Sequence, residues 1–348
     1  MKKVVRILGL ACMAGLLVFT ACKKKENTSS VNVTIPQMKV VTLDGERAYL
    51  NEDWEFTWNQ NDEICVYNLS DQFDESTMQI FHNTTGESHS ATFAGPEVGN
   101  KKTYGYFYFY PTTMASCDLE ELANDNRQTF TVAPTQHFEA YWTENHEISQ
   151  VDASQMPMAI NTNDIHEHSQ LRHMFGIAQF TLKGKRNTVV EVGSITLTDN
   201  HFNLWGSASL KLHEVDTLQL QQVWQEYVEE DPNFAADYDS YIIQTLGWLP
   251  NNDGGKSITL NCLNPTVVDP EVIGENGGVV LKTGNNKTEF NFMLRPLALA
   301  CGFTLHIEFA NGLPAMDIEK WNQPNLEYAI QPGIINQWQY NTAIEGVR

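Results

Sequence analysis

His166, Glu167 and His168, with His173 nearby, are the first residues to test for chemistry. On a strand His166 and His168 would share a face and could chelate a metal ion. No third ligand accompanies them at a supporting spacing, so the segment reads as a solvated polar stretch and no metal is expected. Adjacent carboxylates such as Asp62-Glu63 and Glu229-Glu230 are frequent. Glycoside hydrolysis needs carboxylates that the fold brings together, and adjacency in sequence does not identify them. G-x-S-x-G, H-E-x-x-H, P-loop and dinucleotide-binding motifs are absent from the sequence, which leaves a hydrolase without support.

The cysteines pose a different question. Cys65, Cys117, Cys262 and Cys301 show no C-x-x-C spacing, so zinc is not expected. Cys65 and Cys301 lie in apolar strands and read as small buried residues. Spacing alone assigns no disulfide. Cys22 is distinct. Lys2, Lys3 and Arg6 precede an apolar run from Ile7 to Phe19, and Thr20-Ala21 places small residues just before Cys22. This is the layout of a lipoprotein leader, with residues 1–21 removed and the Cys22 thiol acylated. "KKKENTSS" then reads as a polar tether, so residues 22–30 stand between lipid and fold.

The elements that must position these residues are almost all strands. Val31, Val33 and Ile35 alternate with Asn32 and Thr34, and Trp54, Phe56 and Trp58 alternate with Glu55 and Thr57. Short strands of this kind, separated by turn formers, recur to the C-terminus, as antiparallel sandwiches do and βαβ units do not. Only Leu119–Asn126 and Leu220–Tyr238 have a helical look. Tyr104, Tyr106, Tyr108 and Tyr110 fall on one strand face and Phe107 and Phe109 on the other. Such a ladder could stack on a glycan, but a strand apolar on both faces fits a covered core strand better. Lys and Arg number 22 against 43 Asp and Glu, a net charge of −21. That balance argues against nucleic acid as a partner.

Several landmarks occur in an order that resembles the fimbrillin-like proteins, the type V pilin or Mfa-like surface lipoproteins. Trp58, Asp62, Ile64, Val66 and Tyr67 follow the family's W-x-x-G-D-x-I-x-V-Y pattern. Asn61 stands at its glycine, and both types tolerate left-handed backbone. Tyr108-Phe109-Tyr110-Pro111 is similar to its aromatic strand, and the run from Leu171 through His173 to Ala178 to its F-x-H-x-L-A strand. Phe290, Phe292, Pro296, Gly302-Phe303, Leu305, Ile307 and Asn311-Gly312 follow its late motif.

The resemblance implies an all-β chain of two tandem transthyretin-like antiparallel β-sandwiches, 31–164 and 165–348. It implies no enzyme activity and no cofactor. The implied role is a structural subunit of a fimbrium, or a related cell-adhesion lipoprotein, at the surface of the outer membrane. Its partners would be other fimbrial subunits, the outer membrane through the lipid, and host or bacterial surface ligands. A glycan-binding surface lipoprotein that does not polymerise is the alternative. By the same resemblance a trypsin-like protease cuts between Arg47 and Ala48, in the polar connection "DGERAYLNED", and frees the first strand. The C-terminal segment, with Trp338, Tyr340, Thr342 and Ile344 expected on one face, is the donor strand or else the last strand of its own sandwich.

Overall fold

A computed structural model describes residues 28–34, 38–42, 49–54, 58–68, 78–86, 88–98, 105–112, 127–142, 147–150, 156–211, 248–250, 253–267, 272–284, 287–296, 298–320 and 328–347. Among these the regular elements are β-strands. The first are β1 (Thr28–Thr34), β2 (Met38–Thr42), β3 (Tyr49–Trp54), β4 (Glu63–Asn68), β5 (Met78–Asn83), β6 (Ser90–Pro96) and β7 (Tyr106–Tyr110). Next come β8 (Arg127–Val132), β9 (Thr135–Trp142), β10 (Glu147–Gln150), β11 (Met158–Thr162), β12 (His168–Gln170), β13 (Arg172–His173) and β14 (Gly176–Leu182). The remainder are β15 (Glu191–Asp199), β16 (Gly206–Lys211), β17 (Trp248–Pro250), β18 (Ser257–Val267), β19 (Val279–Val280), β20 (Thr288–Leu294), β21 (Phe303–Phe309), β22 (Met316–Lys320) and β23 (Ile334–Gln339). The chain is all-β, as the strand cadence requires. The two helical-looking segments lie outside the described residues.

An eight-stranded sheet runs β12-β1-β6-β5-β4-β7-β11-β13. A seven-stranded sheet runs β10-β9-β18-β15-β21-β22, with β19 paired to β15. A five-stranded sheet runs β20-β14-β23-β2-β3, and a three-stranded one β17-β16-β8. These sheets are not purely antiparallel. β1 pairs parallel with β12, β9 with β18, and β23 with both β14 and β2. Each parallel pair joins strands far apart in sequence, as a parallel pair must because no tight turn can connect it. Sheet membership also crosses residue 164. β2 and β3 join β14, β20 and β23, while β9 joins β18.

The eight-stranded sheet is covered on both faces over β4, β7 and β11, where period two assigns its side chains to two cores. Ile64 and Val66 on β4, Tyr106 and Tyr108 on β7, and Met158 on β11 join Val31, Val33, Trp58, Phe81 and Phe93. Their alternates, Cys65, Tyr67, Phe107, Phe109 and Ala159, enter a larger core with Phe175, Phe180, Phe290, Phe292, Phe303 and Trp338. The aromatic ladder is therefore interior from Tyr106 to Phe109, and Tyr104 lies outside the described residues.

Candidate functional site at the N-terminal strands

β1 is short, yet it fills an interior position. All seven of its residues pair with β6, from Thr28 opposite Pro96 to Thr34 opposite Ser90, and Asn32 to Thr34 also pair with β12. Alternation sets its faces. Val31 and Val33 are fully buried, while Asn32 is exposed. On the outer face Thr92 Oγ1 donates to Asn32 Oδ1 at 2.7 Å, Thr34 Oγ1 donates to Ser90 Oγ at 3.2 Å, and Thr34 lies 2.6 Å from His168 Nε2.

Trp58 forms the floor of this seat. Its ring meets Phe93 edge-on at 4.9 Å and Tyr110 at 5.2 Å, and its indole N–H donates to the carbonyl of Val33 at 3.3 Å. The turn that follows explains Asp62. The Asp62 carboxylate accepts from Asn59 N at 2.6 Å and from the Tyr110 hydroxyl at 3.2 Å, and Asp62 N donates back to the Asn59 carbonyl. Asn83 secures the same turn by donating to Asn59 O at 2.8 Å and Gly86 O at 2.9 Å. The separate motifs at Trp58, Asp62 and Tyr110 are thus one contact network. Asn61 departs from expectation. The non-glycine residues in left-handed backbone, among those described, are Asn187, Asn264 and Leu299. The turn at Asn61 needs no such conformation, because Asp62 closes it with side-chain and backbone bonds.

β2 lies in a different sheet, between β23 and β3, with Lys39 opposite Ile334 and Thr42 opposite Gln337. Among the described residues β3 ends this sheet, paired with β2. Arg47 and Ala48, in the connection from β2 to β3, lie outside the described residues, as does Cys22. The N-terminal segment therefore occupies two seats in two sheets.

The C-terminal segment divides into strand and tail. β23 ends at Gln339, so Trp338 lies in the strand and Tyr340, Thr342 and Ile344 lie beyond it. Trp338 stacks on Phe180 at 5.3 Å and meets Phe303 edge-on at 5.5 Å. Asn336 donates to the carbonyls of Tyr328 and Ala329, and the amide of Gln337 donates to Gln179 at 2.5 Å. Lys287 reaches Gln339 from the other side of β14. Beyond β23, Thr342 is exposed and Ile344 is buried in a bridge to Gly184. A groove of about 330 Å³ lies against this tail, lined by Phe309, Leu313, Met316, Tyr340 and Ile344 among others.

The histidines do not converge. His166 sits in a turn ahead of β12, where its backbone N–H donates to Asp164, so it shares no strand face with His168. His173 is buried edge-on to Phe175. Among the described residues no three His, Cys, Asp or Glu side chains group as metal ligands. Cys65, Cys262 and Cys301 are free thiols. Burial, with Glu63 adding to it, pushes Cys65 up to about 11, and burial with Asp199 pushes Cys301 up to about 12. Both stay neutral and poorly nucleophilic at physiological pH. Cys117 lies outside the described residues.

Sequence reasoning passed over four polar residues that fasten the interior. Gln136 of β9 donates to the carbonyl of Met293 at 2.8 Å and accepts from its N–H at 2.9 Å. Its amide thereby acts as one residue of an added strand along the edge of β20. Asp199 is buried and accepts from the backbone N–H groups of His201, Phe202 and Leu299, at 2.6, 2.6 and 2.5 Å. Burial still raises its pKa against these bonds. Glu191 is held by the backbone and side chain of Asn276. Arg295 is 1 % exposed and donates to Trp205 O at 3.0 Å and Asp253 O at 3.4 Å. Burial lowers its pKa to about 10, a shift that Asp253 opposes. Beside it Gly254 has φ +97°, and an added Cβ would lie 1.8 Å from the Trp205 carbonyl oxygen, so only glycine fits. Each has a partner distant in sequence, and only Asp199 also has local ones, at His201 and Phe202.

No protein-family model matches the sequence, and no curated protein matches it. Solved structures do show likeness. One is a candidate cell adhesion protein from Bacteroides uniformis, with TM-score 0.41, 13 % identity, and coverage of 87 % of this chain and 92 % of that one. Another is a fimbrial protein from Bacteroides ovatus, with TM-score 0.36, 10 % identity, and coverage of 92 % and 51 %. A third is the tip fimbrial protein Mfa3 from Porphyromonas gingivalis, with TM-score 0.26, 10 % identity, and coverage of 83 % and 81 %.

Proposed function

We propose that this protein is a fimbrillin-like subunit of a cell-surface fimbrium, joined to its neighbours by strand exchange. The observation that carries the reading is the seating of the segment before Arg47. β1 and β2 are interior strands of two sheets, and the connection after β2 holds the basic residue. Cutting there severs both strands from the body. Their departure uncovers main-chain groups on β6, β12, β23 and β3, together with the apolar floor under Val31 and Val33. A strand from another subunit can take such a place through main-chain hydrogen bonds, with alternate side chains setting register. The C-terminal segment containing Trp338, Tyr340, Thr342 and Ile344 supplies the donor. The body is organised as tandem transthyretin-like sandwiches, and it catalyses no reaction.

In the test, mild trypsin generates a new N-terminus at Ala48, and the nicked protein oligomerises in size-exclusion chromatography. Arg47→Ala blocks both. A nicked protein that stays monomeric after losing β1 and β2 refutes the exchange reading. The same proposal anchors the chain at the outer membrane through lipid on Cys22, facing outward. Cys22→Ser then moves the protein from the membrane fraction to the soluble one, and full membrane retention of that variant refutes the anchor.

A further inference from the structure

We infer that the turn after β14, with the segments bridged to it, is a docking face for a bilayer surface that presents phosphate headgroups. The inference is independent of strand exchange and of the Cys22 lipid.

Register brings the cations together. β14 ends at Leu182, opposite Thr288 of β20, so the next pair outward is Lys183 and Lys287. Gly184 bridges in parallel to both Thr283 and Ile344. These bridges bring Lys282 level with Lys183, and Lys185 level with Glu345, which it pairs at 2.9 Å. Side chains of an extended segment alternate, so Lys183 and Lys185 share the side opposite buried Gly184. Arg186 comes next. A Cβ added to Gly284 would lie 3.4 Å from its Nε and Nη2, so the guanidinium rests against bare backbone. Among the described residues two carboxylates accompany these five cations: Glu345, and Glu289, which accepts from Gln179. A chain with 43 Asp and Glu against 22 Lys and Arg therefore reverses its sign here.

Charge alone does not separate a bilayer from a soluble polyanion, but two valines do. Thr188 closes the turn by donating to the Lys185 carbonyl, from its N–H at 3.3 Å and its hydroxyl at 2.8 Å. Val189 follows at once and exchanges both backbone bonds with Val347. At 48 % and 49 % exposure they are the two most exposed large apolar side chains among the described residues. Apolar groups beside cations gain at a bilayer, where they enter the headgroup boundary while the cations meet phosphate. A soluble polyanion offers the valines nothing. The net charge of −21 does not oppose this contact. The screening length at physiological ionic strength is about 8 Å, so only charges close to the surface count. Repulsion of the acidic body and attraction of this face select one orientation.

The test uses the chain from residue 23 onward, without leader or lipid, and measures cosedimentation with vesicles. It should bind vesicles of mixed phosphatidylglycerol and phosphatidylcholine and not vesicles of phosphatidylcholine alone. About 1 M salt, where the screening length falls to about 3 Å, should release it. Lys183→Glu with Arg186→Glu spares the Lys185–Glu345 pair and should weaken binding at least about tenfold. Lys256→Glu with Lys320→Glu makes the same change in net charge elsewhere and should leave binding unaltered. Val189→Ser with Val347→Ser should weaken vesicle binding several-fold and leave binding to soluble dextran sulfate unchanged. Thermal melts by circular dichroism establish that each variant is folded. Failure of the unsubstituted chain to bind the anionic vesicles overturns the inference. So does equal weakening by both lysine pairs, which would make the effect one of overall charge. If the valine variant keeps full vesicle binding, the patch is a site for soluble polyanions and the bilayer reading falls. Each of these failures leaves strand exchange and the lipid anchor untouched.

Discussion

β1 and β23 are both interior strands, but they are retained by different means. β1 contributes two valines to the smaller core and accepts one buried bond, from the indole N–H of Trp58, while the side-chain bonds of Asn32 and Thr34 lie on its outer face. β23 contributes Ile335 and Trp338 to the larger core and adds side-chain bonds from Asn336, Gln337 and Gln339. Main-chain pairing is comparable, since each has two strand neighbours. The lesson is that buried side chains, not the number of ladder neighbours, distinguish how the two strands are held.

The largest effect expected from breaking this contrast is at Trp338. Trp338→Ala should cost about 3–5 kcal/mol, since it removes a buried aromatic from a close-packed site. Chemical denaturation monitored by circular dichroism measures it, and a loss below 1 kcal/mol would show that β23 is not the better anchored strand. Val33→Ala should cost less, about 2 kcal/mol, from two buried methyl groups and the small void they leave. It should also raise hydrogen exchange in β1 and β6 before any change in β23. Equal deprotection of both strands would mean that the two seats open together.

The smallest effect sharpens the comparison. Both tryptophans are buried, but among the described residues only Trp58 has an acceptor for its N–H; that of Trp338 has none. Replacing each with Phe should therefore separate packing from hydrogen bonding. Trp58→Phe should lose about 1 kcal/mol more than its change in volume explains, whereas Trp338→Phe should carry no such excess. Equal losses in matched denaturation curves would remove the hydrogen bond from the account of how β1 is held.

Much of β1 was legible in the sequence. Its alternation of Val31, Asn32, Val33 and Thr34 names the buried and exposed faces directly, because period two is a local property. The doubly covered character of β7 was legible for the same reason. The destination of each strand was not. Nothing near Met38–Thr42 says that it leaves the sheet of β1 and runs parallel to β23, since that choice depends on partners at the far end of the chain. The continuous face from Trp338 to Ile344 failed because strand periodicity was extended past Gln339, where the backbone turns to bridge Gly184 instead. Gln136, Asp199, Glu191 and Arg295 were invisible because a buried polar residue looks like a surface one until its burial is known.

The full-length pairing of β1 with β6 has a mechanical meaning. Tension along the axis of a strand in that seat loads its bonds together, so none yields until many yield at once. Tension across the axis loads them one after another, like an opening zip. A strand in the place of β1 would therefore resist an axial tug far better than a sideways one, and the seat converts the direction of a pull into a difference in lifetime.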